Sequence, residues 1–226
     1  MLLRLGFWQL DRAAEKQQRQ LVYQQQRELP ATTIAALMDT QDTAYQSVAE
    51  KGYFDNQRYW LLDNRSFKGQ NGYQVIMPLY LMESKGMNTL LVNRGWIPAS
   101  AMRDQLPAIE TPTGSVSVSG YLYTLPENAL FKQSKSDWGA EWPKRVLSLS
   151  LESVKQSLGT EVYPLLLRID DNSPGALLAD WQITNAGPEK HRGYAVQWFA
   201  MALALVALYL RLLYKEVKNN RDKQTE

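Results

Sequence analysis

The chain has 226 residues, with 25 Lys/Arg against 23 Asp/Glu, one histidine and no cysteine. Lack of thiols excludes disulfides, thiolate metal sites, a cysteine nucleophile and covalent c-type haem attachment, and one imidazole excludes a multi-histidine zinc or copper centre within a single chain. The mean hydropathy of −0.38 describes a mostly water-soluble chain, and its formal charge of +2 is not gathered on a nucleic-acid-binding face: Leu5–His191 holds 18 basic and 20 acidic residues, whereas Arg211–Glu226 holds 5 basic and 3 acidic.

Met1–Leu10 reads MLLRLGFWQL and gives way to the polar pair Asp11-Arg12. An apolar run this short, with an arginine inside it, does not cross a bilayer as a helix. Residues 1–10 are therefore expected to be the remnant of a first transmembrane helix whose beginning is absent. A short interfacial anchor and a degenerate signal sequence are the alternatives, the latter without a small-residue cleavage site. Residues 11–29 are rich in Gln, Arg, Lys and Ala, and Leu10, Ala13, Ala14, Gln17 and Leu21 form a weakly apolar stripe. They predict a polar connecting helix that stops before Pro30.

Residues 30–190 are expected to form one α+β domain dominated by antiparallel sheet, either open or a partly closed barrel. Tyr59–Phe67 and Tyr73–Met82 flank a five-residue loop, Lys68-Gly69-Gln70-Asn71-Gly72, and predict a hairpin. Glu83-Ser84-Lys85-Gly86 turns the chain into a strand over Thr89–Ile97. Ser115–Thr124 alternates, with Val116, Val118 and Leu122 on one face and the serines and Tyr121 on the other. Leu149–Leu158 has helical periodicity with Gly159 as its stop, and Val162–Ile169 is a strand closed by the turn cluster Asp170–Gly175.

Within this domain Asn93-Arg94-Gly95-Trp96-Ile97-Pro98 is the densest cluster, suited either to a contact surface or to a strand end with a glycine bulge, the structural reading being preferred. Tyr59, Trp60, Trp138, Trp142 and Trp181 suit a partner interface or the core. Arg58 and Arg65 are candidates for gripping a carboxylate or propionate. Asp170-Asp171 is most simply a solvated turn. No Walker loop, dinucleotide glycine fingerprint or nucleophile elbow occurs, so a conventional enzyme is disfavoured.

Tyr194–Leu210 reads YAVQWFAMALALVALYL, with Gln197 as its only strongly polar member. Extended to Leu213, a helix there covers about 30 Å, one hydrocarbon core. Tyr194 and Trp198 stand near one end and Tyr209 and Tyr214 near the other, where amphipathic rings favour the interface. Residues 191–213 are thus expected to be a transmembrane helix, with a core helix of a soluble protein as the alternative. Residues 214–226 are a basic tail, which the positive-inside rule places in the cytoplasm. Ala200, Ala204 and Ala207 line a face suited to packing on another helix. Tyr194, Ala195, Trp198 and Ala202 follow His191 at helical spacing on a single stripe. An imidazole at the head of that stripe fits an axial ligand to haem iron, with the porphyrin passing Ala195 towards Trp198; a histidine marking the helix start at the headgroups is the plain alternative.

Several motifs in order along the chain resemble those of the Surfeit locus protein one family of cytochrome c oxidase assembly factors. They are Gly6-Phe7-Trp8-Gln9-Leu10 with Arg12 and Lys16, Gly72-Tyr73, Pro78-Leu79, Leu91–Pro98, and Pro188 and His191 with Tyr194–Phe199. The resemblance implies two transmembrane helices flanking a periplasmic domain in a bacterial inner (cell) membrane. It also implies a non-enzymatic role in placing haem a in oxidase subunit one, with haem a synthase and other assembly factors as further partners. In bacterial members the histidine opening the second membrane helix is linked to haem, which assigns that role to His191, with Trp198, Ala195 and Tyr194 around it. Asn93, Arg94, Gly95 and Trp96 match the family's soluble motif, which has no settled chemical role. The chain departs from the pattern in its short first helix and in Glu189, Lys190 and Arg192, where many relatives carry asparagines and an apolar residue. The rival reading is a membrane-anchored scaffold that stabilises an oxidase intermediate without touching haem.

Overall fold

The computed structural model describes residues 1–37, 43–83, 86–100, 102, 105–124, 141–181 and 187–222. Trp138, Lys223 and the Ser84-Lys85 centre of one expected turn lie outside the described residues. Two compact units form: Met1–Val22 with the described part of 182–226, and Tyr23–Trp181.

The larger unit is built from β1 (Ser47–Phe54), β2 (Trp60–Phe67), β3 (Gln70–Leu81), β4 (Thr89–Pro98), β5 (Val116–Tyr123), β6 (Lys144–Val146) and β7 (Leu166–Ile169), with helices α2 (Ile34–Leu37) and α3 (Leu151–Leu158). The strands run β1-β5-β7-β4-β3-β2-β6, and a further β1–β3 pairing closes the first five into a barrel. The expected sheet was antiparallel and at most partly closed. The observed one is mixed, because β7 lies parallel to β4 and β6 parallel to β2. Long β3 makes closure possible: residues up to Ile76 pair with β2, and Leu79–Leu81 pair with β1. Pro78, which has no N–H to donate, sits where β3 changes partner.

Period-two alternation sorts side chains into two layers. Leu90 and Val92, Val118 and Leu122, and Leu167 and Ile169 enter one cluster with Ile34 and Leu37 of α2. The alternate residues Leu91, Tyr121, Tyr123 and Leu166 enter a second cluster with Val154 and Leu158 of α3. The first cluster also takes Val48 and Phe54 of β1 and Met77 and Leu79 of β3, so all five strands of the closed barrel feed it and it is the barrel interior. Tyr121, expected on the face opposite Val118 and Leu122, is there and is buried in the second layer. Pattern alone does not separate a wet face from one roofed by other elements.

Local chemistry sets the boundaries. Lys68 (φ 47°) and Gly69 (φ 82°) both take positive φ, which makes a two-residue hairpin turn matching strand twist. The expected five-residue loop therefore shrinks, and Gln70, Asn71 and Gly72 join β3. The Ser150 side chain accepts from Ser153 N at 3.2 Å, so α3 starts two residues later than its periodicity indicated. Gly159 ends it in the left-handed conformation, its N–H donating to Lys155 O.

Asp55, after β1, shows how loop charge enters stability. Burial opposes its ionisation, but Arg58 N, the Tyr80 hydroxyl, Gln57 N and the Arg58 guanidinium all donate to it and hold its pKa below the usual 3.8. The same contact, with burial as the larger cause, pushes the Tyr80 phenol to about 12. A carboxylate with a lowered folded pKa stabilises fully above its unfolded value, and that stability is lost as pH falls through the folded value. Asp55→Asn should lower the melting temperature at pH 7 and flatten its decline below pH 3.8, as followed by circular dichroism across pH.

Candidate functional site

In the smaller unit α1 (Leu2–Glu28) contributes Met1–Val22, and α4 (Pro188–Asp222) is the second helix. Successive residues of one α4 face meet α1. The Nδ1 of His191 lies 2.8 Å from Gln9 Oε1. Ala195 is 1 % exposed, while Tyr194 and Val196 beside it are exposed. Phe199 sets its ring edge-on to Phe7, with centroids 5.3 Å apart. A Cβ on Gly6 would lie 2.5 Å from Phe199 Cε1, so glycine there permits the close approach. The spacing 191, 195, 199 is the i, i+4, i+8 ridge of a helix. Arg192 also donates to Gln17 Oε1 at 2.7 Å and pairs with Glu189 at 3.3 Å.

This geometry divides the expected stripe. His191 and Ala195 belong to the helix–helix contact, Trp198 and Ala202 are half-buried, and Tyr194 is 41 % exposed. Buried Ala195 is not a path for a porphyrin within this packing, which leaves the Tyr194–Trp198 flank as the accessible side. Ala200, Ala204 and Ala207 are exposed rather than packed on a helix. Gln9, Gln17 and Phe199 were not recognised as parts of this site. The available signal was the pairing of small Gly6 and Ala13, seven residues apart and both buried, with small Ala195 on the other helix.

Pro188–Asn220 is long and apolar enough to cross a membrane, and none of its apolar window is buried. The core helix of a soluble protein is mostly buried, which this one is not among the described residues. Leu203, Leu205, Val206 and Leu210 are all more than half exposed, a surface that fits membrane association. It is the sole such helix among the described residues, so flanking by two membrane helices is not established.

The Asn93–Trp96 motif lies in the larger unit and acts as a clasp. Across β3 and β4 the register passes from Ile76↔Asn93 to Val75↔Gly95, leaving Arg94 as the extra residue of a bulge. Arg94, 1 % exposed, donates from Nε to Gly175 O at 2.6 Å, from one terminal nitrogen to Glu110 O at 2.7 Å and from the other to Thr111 Oγ1 at 3.1 Å. Its guanidinium lies over Phe54, and burial lowers its pKa to about 10. Asn93 Oδ1 accepts from Gly95 N at 3.2 Å. Gly95 has φ 118°, and a Cβ there would lie 2.6 Å from Leu178 O. Trp96 N donates to Leu178 O, and Trp96 Nε1 to Arg65 O at 2.7 Å. Arg94 and Trp96 thus bind segments 110–111 and 175–178 to the barrel, while Asn93 and Gly95 shape the bulge that lets them.

The clasped segment borders an open cleft of about 550 Å³ lined by Tyr23, Arg27, Tyr121, Asp170, Asp171 and residues 177–181. Asp170 pairs with Arg27 at 2.7 Å instead of being simply solvated. Arg168 lies over the rings of Tyr123 and Trp181. Trp60 is core, and Trp142 packs edge-on against it. Arg58 is held by Asp55 and Tyr80, and Arg65 reaches Leu147 O at 3.4 Å.

Because lysine lacks the planar fork, Arg94→Lys should cost about 2–4 kcal/mol. That corresponds to a fall in Tm of roughly 5–15 °C by calorimetry of the purified chain. Gly95→Ala should cost about 2 kcal/mol or more by forcing alanine into positive φ against a carbonyl. An unchanged Tm in both would refute the clasp.

Residues 1–203 match the SURF1 family. A SURF1-like protein of Rickettsia bellii is 28 % identical over 240 aligned positions, covering 100 % of this chain and 90 % of that protein. Surfeit locus protein 1 of Xenopus tropicalis is 24 % identical over 94 % of this chain and 72 % of its own length. That of Arabidopsis thaliana is 39 % identical over a shorter stretch, 42 % of this chain and 30 % of the plant protein. The helix pair carrying His191 and the clasp carrying Arg94 both fall within the matched residues, and the chain belongs to the SURF1 family, whose members are generally oxidase assembly factors rather than a known class of enzyme.

Proposed function

We propose that this chain is a cytochrome c oxidase biogenesis factor of the bacterial inner membrane that takes up haem a at His191 and passes it to oxidase subunit one. The barrel lies on the periplasmic side and the basic tail in the cytoplasm. The observation that carries the reading is the placement of His191 at the head of the apolar helix α4, its Nδ1 2.8 Å from the Gln9 side-chain oxygen. With the ring proton on Nδ1, that contact leaves the Nε2 lone pair for iron.

The donor set fits such a cargo: an imidazole at the start of an apolar helix, with Trp198 half-buried and Tyr194 exposed on the adjoining flank. His191 supplies the axial nitrogen, Gln9 orients the ring, and Tyr194 and Trp198 offer aromatic surface to a flat apolar molecule. Iron contributes a bond that one imidazole can make and surrender. Haem a synthase as donor and other oxidase assembly factors as companions belong to the same proposal.

The scaffold reading predicts a colourless protein. Purified from cells that make haem a, the wild-type chain should carry a Soret band, and His191→Ala should lose at least about nine-tenths of it. An uncoloured wild type, or a His191→Ala protein with undiminished haem a, would sink haem delivery and leave assembly by protein contact alone.

A further inference from the structure

We infer that Gln9 is the positioning residue of His191: its side-chain oxygen selects the imidazole tautomer and turns Nε2 outward as the ligand-presenting atom. The inference rests on the reading of His191 as an iron ligand but is measurable without iron.

The contact joins segments far apart in the chain, 182 residues between partners. The oxygen of Gln9, at 2.8 Å from Nδ1, accepts only if that nitrogen carries the ring proton. Unprotonated Nε2 is then the sole lone pair in the ring plane able to bind a metal. A neutral histidine side chain free in water prefers the opposite tautomer, so without a fixed acceptor the ring would mostly present a proton at Nε2. The glutamine amide also sets ring orientation, as second-shell partners of metal-bound histidines do.

Neighbouring contacts hold Gln9 in place. Gly6 lies three residues before it on α1 and admits the Phe199 ring, eight residues after His191 on α4. Gln17, two turns further along α1, accepts from Arg192, next to His191. Contacts on both sides fix the helices' register, so the Gln9 oxygen meets the ring as a consequence of packing. The Gly6–Gln9 motif near the start and the His191–Phe199 motif near the end are therefore two halves of one junction. An amide acceptor suits transient loading, because it orients the ring without the full negative charge by which a carboxylate makes the imidazole a stronger, slower-releasing ligand.

Since the chain has one histidine, labelling with ¹⁵N-histidine gives a single pair of ring resonances in detergent micelles at pH 9. The wild type should show the Nδ1–H form. Gln9→Leu should move the population towards Nε2–H and weaken haem a binding about 10- to 100-fold in a Soret titration. Gln9→Glu, which keeps an acceptor oxygen at the same reach, should retain the wild-type tautomer and bind haem a at least as tightly. Equal far-UV dichroism and Tm across the three proteins rule out unfolding as the cause.

A wild-type Nε2–H form, or an unchanged tautomer in Gln9→Leu, overturns the inference. So does a haem-binding wild type whose affinity Gln9→Leu leaves intact. If the tautomers behave as expected while no variant takes up haem a, Gln9 stands as the positioning residue of His191 and the delivery reading falls separately.

Discussion

Arg94 donates to acceptors 81, 17 and 16 residues away in sequence, and no ion pair among the described residues includes it. A buried cation without a carboxylate is unfavourable on desolvation alone, which its lowered pKa expresses. It persists because the segments at 110–111 and 175–178 lack long ladders of their own. Their carbonyls need donors, and a guanidinium supplies more donors in one rigid plane than any other side chain. Charge-assisted bonds, each worth about 1.5–3 kcal/mol, offset the burial. The bulge at Asn93–Gly95 turns this side chain inwards, and positive φ at Gly95 brings Leu178 close. A barrel closed by only five strands thereby keeps its irregular segments attached at one point.

The helical unit follows different physics. Along the helix pair, contacts change from polar, at Arg192–Gln17 and His191–Gln9, to apolar, at Ala195 and at Phe199 with Phe7 and Gly6. That gradient fits a passage from headgroups into hydrocarbon, where small residues allow close approach and hydrogen bonds have few competitors. The exposed aliphatic surface of α4 beyond Phe199 has no partner among the described residues. Such a surface fits lipid, where a helix satisfies its own backbone polar groups and an irregular segment would not.

Features written in local chemistry were legible before the fold: the stop at Gly159, the strand through Val92, the apolar run from Tyr194 and the glycine bulge near Gly95. Their signals lie within a few residues. Features set by distant partners were not legible. The burial of Tyr121 was not legible because nothing near it in sequence announces Tyr23, whose ring lies edge-on at 5.1 Å, or Arg27 above it at 5.5 Å. Parallel addition of β6 and β7 likewise depends on crossovers, not on alternation. The family resemblance singled out His191 and Gln9 separately, and only the packed helices show that they touch. Asp170 illustrates the same limit, since its partner Arg27 lies 143 residues earlier.

For transient loading, the arrangement around His191 has a useful asymmetry. The ridge through Ala195 and Phe199 is filled by α1, so a flat ligand is confined to the flank bearing Tyr194 and Trp198 and cannot be sandwiched between the helices. A site enclosed on both faces would bury most of a porphyrin's apolar surface, at about 25 cal/mol per Å², and release it slowly. One imidazole beside a half-open aromatic flank makes a weaker complex. In the proposed reading such a flank would shield part of the porphyrin and leave the rest accessible to an acceptor. In the proposed reading the direction of transfer then needs no moving lid: an acceptor offering two axial nitrogens and full enclosure binds the same cargo more tightly than a donor built to offer one.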